Sequence, residues 1–310
     1  MVDSSPTSTP TAQDIGELLL LGLVWGASFL FMRVAAPEFG PVALVALRVG
    51  VAALLMAPLL HGVWRQAAAR RWWRPVVLVG VFNSALPFCL FAYAALSLPA
   101  GFNAILNATA ILWGAVLGWM VFGVRMGRTA ALGVLLGVLG VSWMVWHKLT
   151  WQADAAADLL MAITAAVIAT ACYGACAHYT RRHLADAPPA VVAAGSQMAA
   201  MLVLLIPGWI AWPAQAPSTL AWSCAMGLGA PCTALAYLLY FRLIARIGAQ
   251  RAMTVTMLVP AFGVLLGVLL LNEQLTPGIV FGGGFVLAGS ALVMGLWRRS
   301  RVATNAGELT

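Results

Sequence analysis

Residues 248–276 read G-A-Q-R-A-M-T-V-T-M-L-V-P-A-F-G-V-L-L-G-V-L-L-L-N-E-Q-L-T, an apolar run with Pro260 inside it, Gly263 and Gly267 four residues apart, and Glu273 just past its end. Membrane helices tolerate an interior proline, because neighbouring helices and local adjustments re-satisfy the freed backbone groups. Glycines at i and i+4 share a helix face and let a second backbone approach closely. The stretch has an upstream counterpart. A shift of 149 residues lays Gly114 on Gly263, Gly118 on Gly267, Asn107 on Thr256 and Gly140 on Gly289. The chain is therefore expected to be built twice.

Composition sets the solvent. Of 310 residues, 63% are hydrophobic and 8% are charged, against about 25% charged in soluble domains. A spanning helix needs roughly 20 apolar residues. Ten such spans fit, at 15–36, 41–62, 75–96, 99–122, 128–147, 157–179, 189–212, 218–240, 249–271 and 277–297. The breaks carry turn residues, such as Leu98-Pro99 and Pro188-Pro189. Residues 1–14 are polar and lack Lys and Arg, so they read as a disordered tail rather than a signal peptide. The net charge of +8 does not indicate nucleic acid, because the Arg residues gather at span ends as topology signals.

The repeat continues beyond the opening stretch. At an offset of 148, Trp25-Gly26-Ala27-Ser28 meets Tyr173-Gly174-Ala175-Cys176, Arg33 meets Arg181 and Pro41 meets Pro189; at 147, Tyr93 meets Tyr240. Two repeats of five spans follow, at 15–147 and 157–297, joined by 148–156 and followed by a tail at 298–310. Five is odd, so the second repeat inserts upside down. With a cytoplasmic N-terminus, fourteen Arg residues fall inside, and only Arg33 and Lys148 fall outside. The expected fold is an all-α integral membrane protein of ten transmembrane helices in two inverted five-helix repeats. It would be multi-pass in the cytoplasmic (inner) membrane, with both termini cytoplasmic. Inverted repeats are the architecture of secondary transporters, with the substrate near mid-membrane between the halves.

The doubled pattern resembles the drug/metabolite transporter superfamily, in its ten-span branch with two EamA domains. The residues that carry the resemblance are Trp25-Gly26-Ala27-Ser28, Ala46-Leu47-Arg48, Tyr93-Ala94-Ala95-Leu96 with Pro99-Ala100-Gly101, and Pro260 through Glu273-Gln274-Leu275-Thr276. It implies transport of a small metabolite, amino acid or drug. The family's Pro and Glu near the fourth span occur here once, as Pro260 and Glu273; the first half has Ile111 and Val124 instead.

Candidate substrate-binding residues are polar or aromatic groups near mid-depth. Asn107 shares a helix stripe with Asn103, Gly114 and Gly118. An amide in hydrocarbon either walls a cavity or bonds a neighbouring helix; Asn107, with its mate Thr256, is read as cavity wall. Asn83 and Ser84 precede Pro87, which frees the carbonyl four residues back, that of Asn83. They either present polar groups to a substrate or repair the kink. Trp25 and Ser28 lie at mid-depth in span one, with Tyr173 as the mate of Trp25; Trp25 is too deep for an interfacial anchor and either lines a cavity or packs in the core, whereas Tyr237 and Tyr240 read as anchors at the inner end of span eight. Arg48 is the one basic residue well inside a span, so it is either an anion site or structural.

The five cysteines fall in apolar spans, and Cys172 and Cys176 share a helix face without further ligands. Neither a metal nor a cofactor is expected. No HExxH, Asp-rich prenyl-binding motif, G-x-S-x-G or phosphate-cradling loop appears. Glu17, Glu273 and His178 lie at span ends, so a facilitator or exchanger is expected rather than an obligatory proton antiporter. The expected partners are a small-molecule substrate and the lipid bilayer, with a homodimer left open. The rival readings are an integral-membrane enzyme acting on lipid, which would need intramembrane His or acidic pairs, and a non-transporting assembly or sensor subunit.

Overall fold

A computed structural model describes residues 11–61, 71–151 and 156–295. Among these, eight helices are long and apolar enough to cross a membrane. They are α1 (Ala12–Phe39), α2 (Pro41–Leu60), α3 (Trp73–Ser97), α4 (Ala100–Met120), α5 (Arg128–Leu149), α6 (Ala156–His183), α7 (Pro189–Ile210) and α8 (Thr219–Ile247). Two shorter apolar helices follow, α9 (Val255–Leu271) and α10 (Gly278–Met294). At 1.5 Å per residue α9 alone reaches ~25 Å; the turn Ala249–Ala252 precedes it.

Two boundaries differ from the sequence reading. Helix α1 starts inside the expected tail, because Thr11 caps it: the Asp14 amide donates to Thr11 Oγ1, and the Thr11 amide donates to Asp14 Oδ2. Helix α8 runs on to Ile247 because its last turns are anchored. Arg246 pairs with Asp14 at 2.9 Å and with Glu17 at 3.1 Å, and Arg242 lies 3.4 Å from Glu17. The C-terminal tail, most of the N-terminal tail, Arg65, Arg70 and part of the 148–156 connection lie outside the described residues.

Packing pairs the halves with a consistent symmetry. Helix α1 packs on α9 and α8, and its mate α6 packs on α4 and α3, the mates of those partners. Three helices pack directly on their own mates: α2 on α7, α4 on α9 and α5 on α10. These run antiparallel. Ala46, early in α2, meets Gly208, late in α7. Met56 and Leu60, late in α2, cluster with Ala193 and Ala194, early in α7. In the α5–α10 crossing a Cβ on Gly140 would lie 2.5 Å from the Gly282 carbonyl, so bare backbone is what permits the approach.

The opening stretch works as the glycine spacing suggests. A Cβ on Gly263 would lie 2.5 Å from the Ala104 Cβ of α4. Helix α9 stays continuous through Pro260 and ends at Asn272, whose left-handed φ of 54° turns Glu273 back. The carboxylate of Glu273 accepts the Ala100 amide at 2.6 Å and the Gly101 amide at 3.1 Å. It thus caps the positive N-terminal end of α4, whose first amides lack helical partners.

The third helix of each half is opened in the same place. Helix α3 takes a wide π turn at Val81–Ala85, and α8 does so at Ala230–Leu235. In α3 the wide turn ends two residues before Pro87, and in α8 it contains Pro231. Thr233 repairs the second opening by donating to the Leu228 carbonyl at 2.7 Å.

Candidate functional site

A cavity of about 340 Å³ lies between the halves, walled by α1, α2, α3, α4, α6, α8 and α9. Trp25, Ser28, Asn83, Asn107, Tyr173, Thr256 and Arg48 all line it. The π turns of α3 and α8 contribute Asn83 and Cys232, which are mates at an offset of 149. Widened turns splay side chains that a regular helix would align, and they recur at functional sites.

The two asparagines of α4 have separate fates. Asn103 is fully buried, and its Nδ2 donates to the Phe91 carbonyl at 3.1 Å, which ties α4 to α3. Asn107, one turn deeper, stays half-buried on the cavity wall. Ser28 donates to the Trp25 carbonyl at 2.6 Å and Thr256 to the Met253 carbonyl at 2.7 Å. Both hydroxyls spend their proton on their own helix and keep lone pairs as acceptors. Ser84 is fully buried and accepts Nε2 of Gln197 at 2.9 Å, so it serves packing.

Arg48 is 5% exposed, and its Nε donates to Thr233 Oγ1 at 3.0 Å. Its guanidinium carbon sits 3.7 Å from the centroid of the Phe88 ring. Stacking on an aromatic face suits a delocalised, weakly hydrated cation.

The aromatic lining was less legible. Tyr237 and Tyr240, expected as interfacial anchors, both line the cavity. Tyr240 packs on Trp25 with ring centroids 5.3 Å apart, and Tyr237 sits against Asn83 and Ser84. Phe88 and Phe91 complete the wall. The equivalence of Tyr93 with Tyr240 also shifts. The π turns begin at Val81 and Ala230, and Gly80 and Gly229 each press on a second helix, so the register here is 149. Phe88 then matches Tyr237 and Phe91 matches Tyr240, while Tyr93 faces outward. Carrying the 149 offset of the opening stretch through the third spans would have found these four.

The span-end titratable groups stand apart from the cavity. Glu17 is held by Arg242 and Arg246, and Glu273 caps α4. His178 Nε2 lies 2.7 Å from the Gly114 carbonyl, and its ring stacks on Phe122 at 4.7 Å. A second, wholly apolar groove of about 520 Å³ lies between α3, α4 and α6, lined by Phe82, Leu117, Ile168, Cys172 and Cys176 among others. A wholly apolar groove on the flank of a membrane bundle suits acyl chains; it lacks the convergent polar groups that orient a solute. The polar cavity between the halves is the better site.

The chain is similar to known proteins along most of its length. A protein of Pseudomonas aeruginosa described only as uncharacterized is 28% identical over 286 residues, 89% of this chain and 92% of its own. A Salmonella typhimurium protein named "Probable amino-acid metabolite efflux pump" is 25% identical over 291 residues, 89% of this chain and 90% of its own. A solved crystal structure superposes with a TM-score of 0.62 at 18% identity, over 93% of this chain and 98% of the other, which is a likeness of fold. Residues 15–146 and 160–295 each match the EamA-like transporter family, and the chain is a multi-pass membrane protein that belongs to that family.

Proposed function

We propose that this protein is a secondary transporter of the cytoplasmic membrane that exports a small organic metabolite, amino acid or drug by alternating access. Ten spans cross the bilayer as two inverted repeats, 15–147 and 157–297, with both termini in the cytoplasm. Trp25, Ser28, Asn83, Asn107, Tyr173 and Thr256 contact the substrate, and Arg48 completes the site.

One observation carries this reading. The cavity is walled by repeat mates from both halves: Trp25 with Tyr173, Asn83 with Cys232, Phe88 with Tyr237, Phe91 with Tyr240 and Asn107 with Thr256. A site shared by two mobile halves is what alternating access requires, since rocking one against the other opens it to either side. Its volume falls at the small end of the 300–1,000 Å³ usual for ligand pockets. The Salmonella relative's name favours amino-acid metabolites and export.

Proteoliposomes containing only this protein, loaded with a metabolite panel, test the proposal. Efflux of at least one compound above empty liposomes is expected. Absence of flux for every compound would favour the assembly-subunit reading, and turnover of a lipid would favour the enzyme. Orientation is tested by single cysteines at two exposed loop positions, read as labelling gained over the native background. An impermeant thiol reagent should reach Gln215→Cys from outside but not Ala185→Cys; the reverse pattern would overturn the topology.

A further inference from the structure

We propose that the substrate is a small organic anion, a carboxylate on an apolar or aromatic body, and that Arg48 receives the carboxylate. This rests on the reading of the central cavity as the substrate site. Arg48 is the charged member of the cavity wall among the described residues, and the groups facing it, Tyr173, Cys232 and Tyr237, include no carboxylate. A buried guanidinium with no countercharge is costly in a membrane interior. It has five N–H donors. Among the described residues, Nε reaches Thr233, and Nη1 has only the sulfur of Met32 at 3.9 Å, a weak acceptor. A carboxylate is the oxygen acceptor that would complete this set, and its planar fork matches the guanidinium.

The opposite half shows that the charge is not needed for the architecture. There, helix α7 reaches the π turn of α3 through Gln197, whose Nε2 donates to Ser84 Oγ at 2.9 Å. Ser84 is the mate of Thr233 at an offset of 149, and the contacts of Gly80 and Gly229 make Ser196, the neighbour of Gln197, the register mate of Arg48. The same structural link is therefore made once by a neutral amide and once by a cation. The amide is fully buried, whereas the cation lines the cavity. A charge standing where an amide suffices in the other half points to a ligand.

The rest of the wall defines the body of that ligand. Trp25, Phe29, Phe88, Phe91, Tyr173 and Tyr240 surround the space with rings. Among the described residues the cavity wall carries no carboxylate to receive an ammonium, and a single guanidinium falls short of the charge on a phosphate dianion.

Matched carboxylic acids and their primary amides, from acetate to 3-phenylpropionate and the N-acetylated amino acids, separate the possibilities on purified protein in nanodiscs. At least one acid should raise the melting temperature while its amide does not. Arg48→Gln should fold, because it leaves a neutral amide donor on this face, and should weaken binding of that acid about tenfold or more. Arg48→Lys keeps the charge and loses the fork, so it should retain part of the affinity. Equal shifts with acid and amide, an acid shift unchanged in Arg48→Gln, or no shift with any acid would each overturn the proposal. Should Arg48→Gln fail to fold, the wild-type acid–amide comparison still decides. Liposome flux of neutral or cationic compounds without acid binding would leave the transporter standing and remove the anion. Acid binding lost in Arg48→Gln without any flux would do the opposite.

Discussion

The two halves share a backbone and differ in chemistry at matched positions. After α4, Gly123 takes a φ of 67° and the Val124 amide donates to the Gly118 carbonyl at 2.8 Å. After α9, Asn272 takes a φ of 54° and the Glu273 amide donates to the Gly267 carbonyl at 3.0 Å. The turn is the same, 149 residues apart, yet one presents a valine and the other a carboxylate that locks a helix N-terminus. The glycine stripes diverge as well. A Cβ on Gly263 would press on Ala104, whereas one on its mate Gly114 would meet nothing within 4 Å. Duplication supplies the frame, and later divergence assigns locks, packing and charge to one half at a time.

The largest expected effect breaks the equivalence of the glycines. Gly263→Leu should abolish folded protein, because the side chain has no room at the α4 contact. Gly263→Ala should cost about 1–3 kcal/mol, whereas Gly114→Ala should be neutral or stabilising by up to about 1 kcal/mol. Thermal melts of purified protein read the difference; equal effects at both positions would deny the packing asymmetry.

The asparagines of α4 come next. Asn107→Ala should lower flux about tenfold with a nearly unchanged melting temperature, as expected for one lost substrate hydrogen bond. Asn103→Ala should lower stability by about 1–3 kcal/mol, because the bond from its Nδ2 that ties α4 to α3 is lost. If Asn107→Ala loses stability and flux in proportion, it is packing after all.

A smaller shift is expected at the turn. Glu273→Val copies the first half and should cost about 1–2 kcal/mol, since two amides at the start of α4 lose a charged acceptor. Val124→Ala should change stability by no more than about 0.5 kcal/mol, as at other exposed sites.

The smallest expected effect is that of a proton gradient. Glu17, Glu273 and His178 are engaged away from the cavity, so an imposed pH gradient should not drive net accumulation of substrate beyond that in protein-free liposomes. Accumulation that disappears in Glu273→Gln or His178→Ala would place one of these groups in the transport cycle.

Much of this was readable from the chain. The apolar runs and the repeat follow from local composition and spacing, because a bilayer demands internally bonded helices of a set length. The candidates Trp25, Asn83, Asn107 and Tyr173 were legible as polar or aromatic groups at mid-depth, where hydrocarbon makes them costly. Other features depended on which neighbour each face meets. The sequence shows Asn103 and Asn107 on one stripe, but only the approach of α3 makes the first a tie and leaves the second on the cavity wall. Tyr237 and Tyr240 sit where anchors would sit, and only the helix rotation after the π turn directs them inward. The meaning of the Arg48 charge needed tertiary structure most. Spacing along a helix reports depth and face, whereas the partner of a buried charge is set by residues far away in the chain, here Thr233 and Phe88.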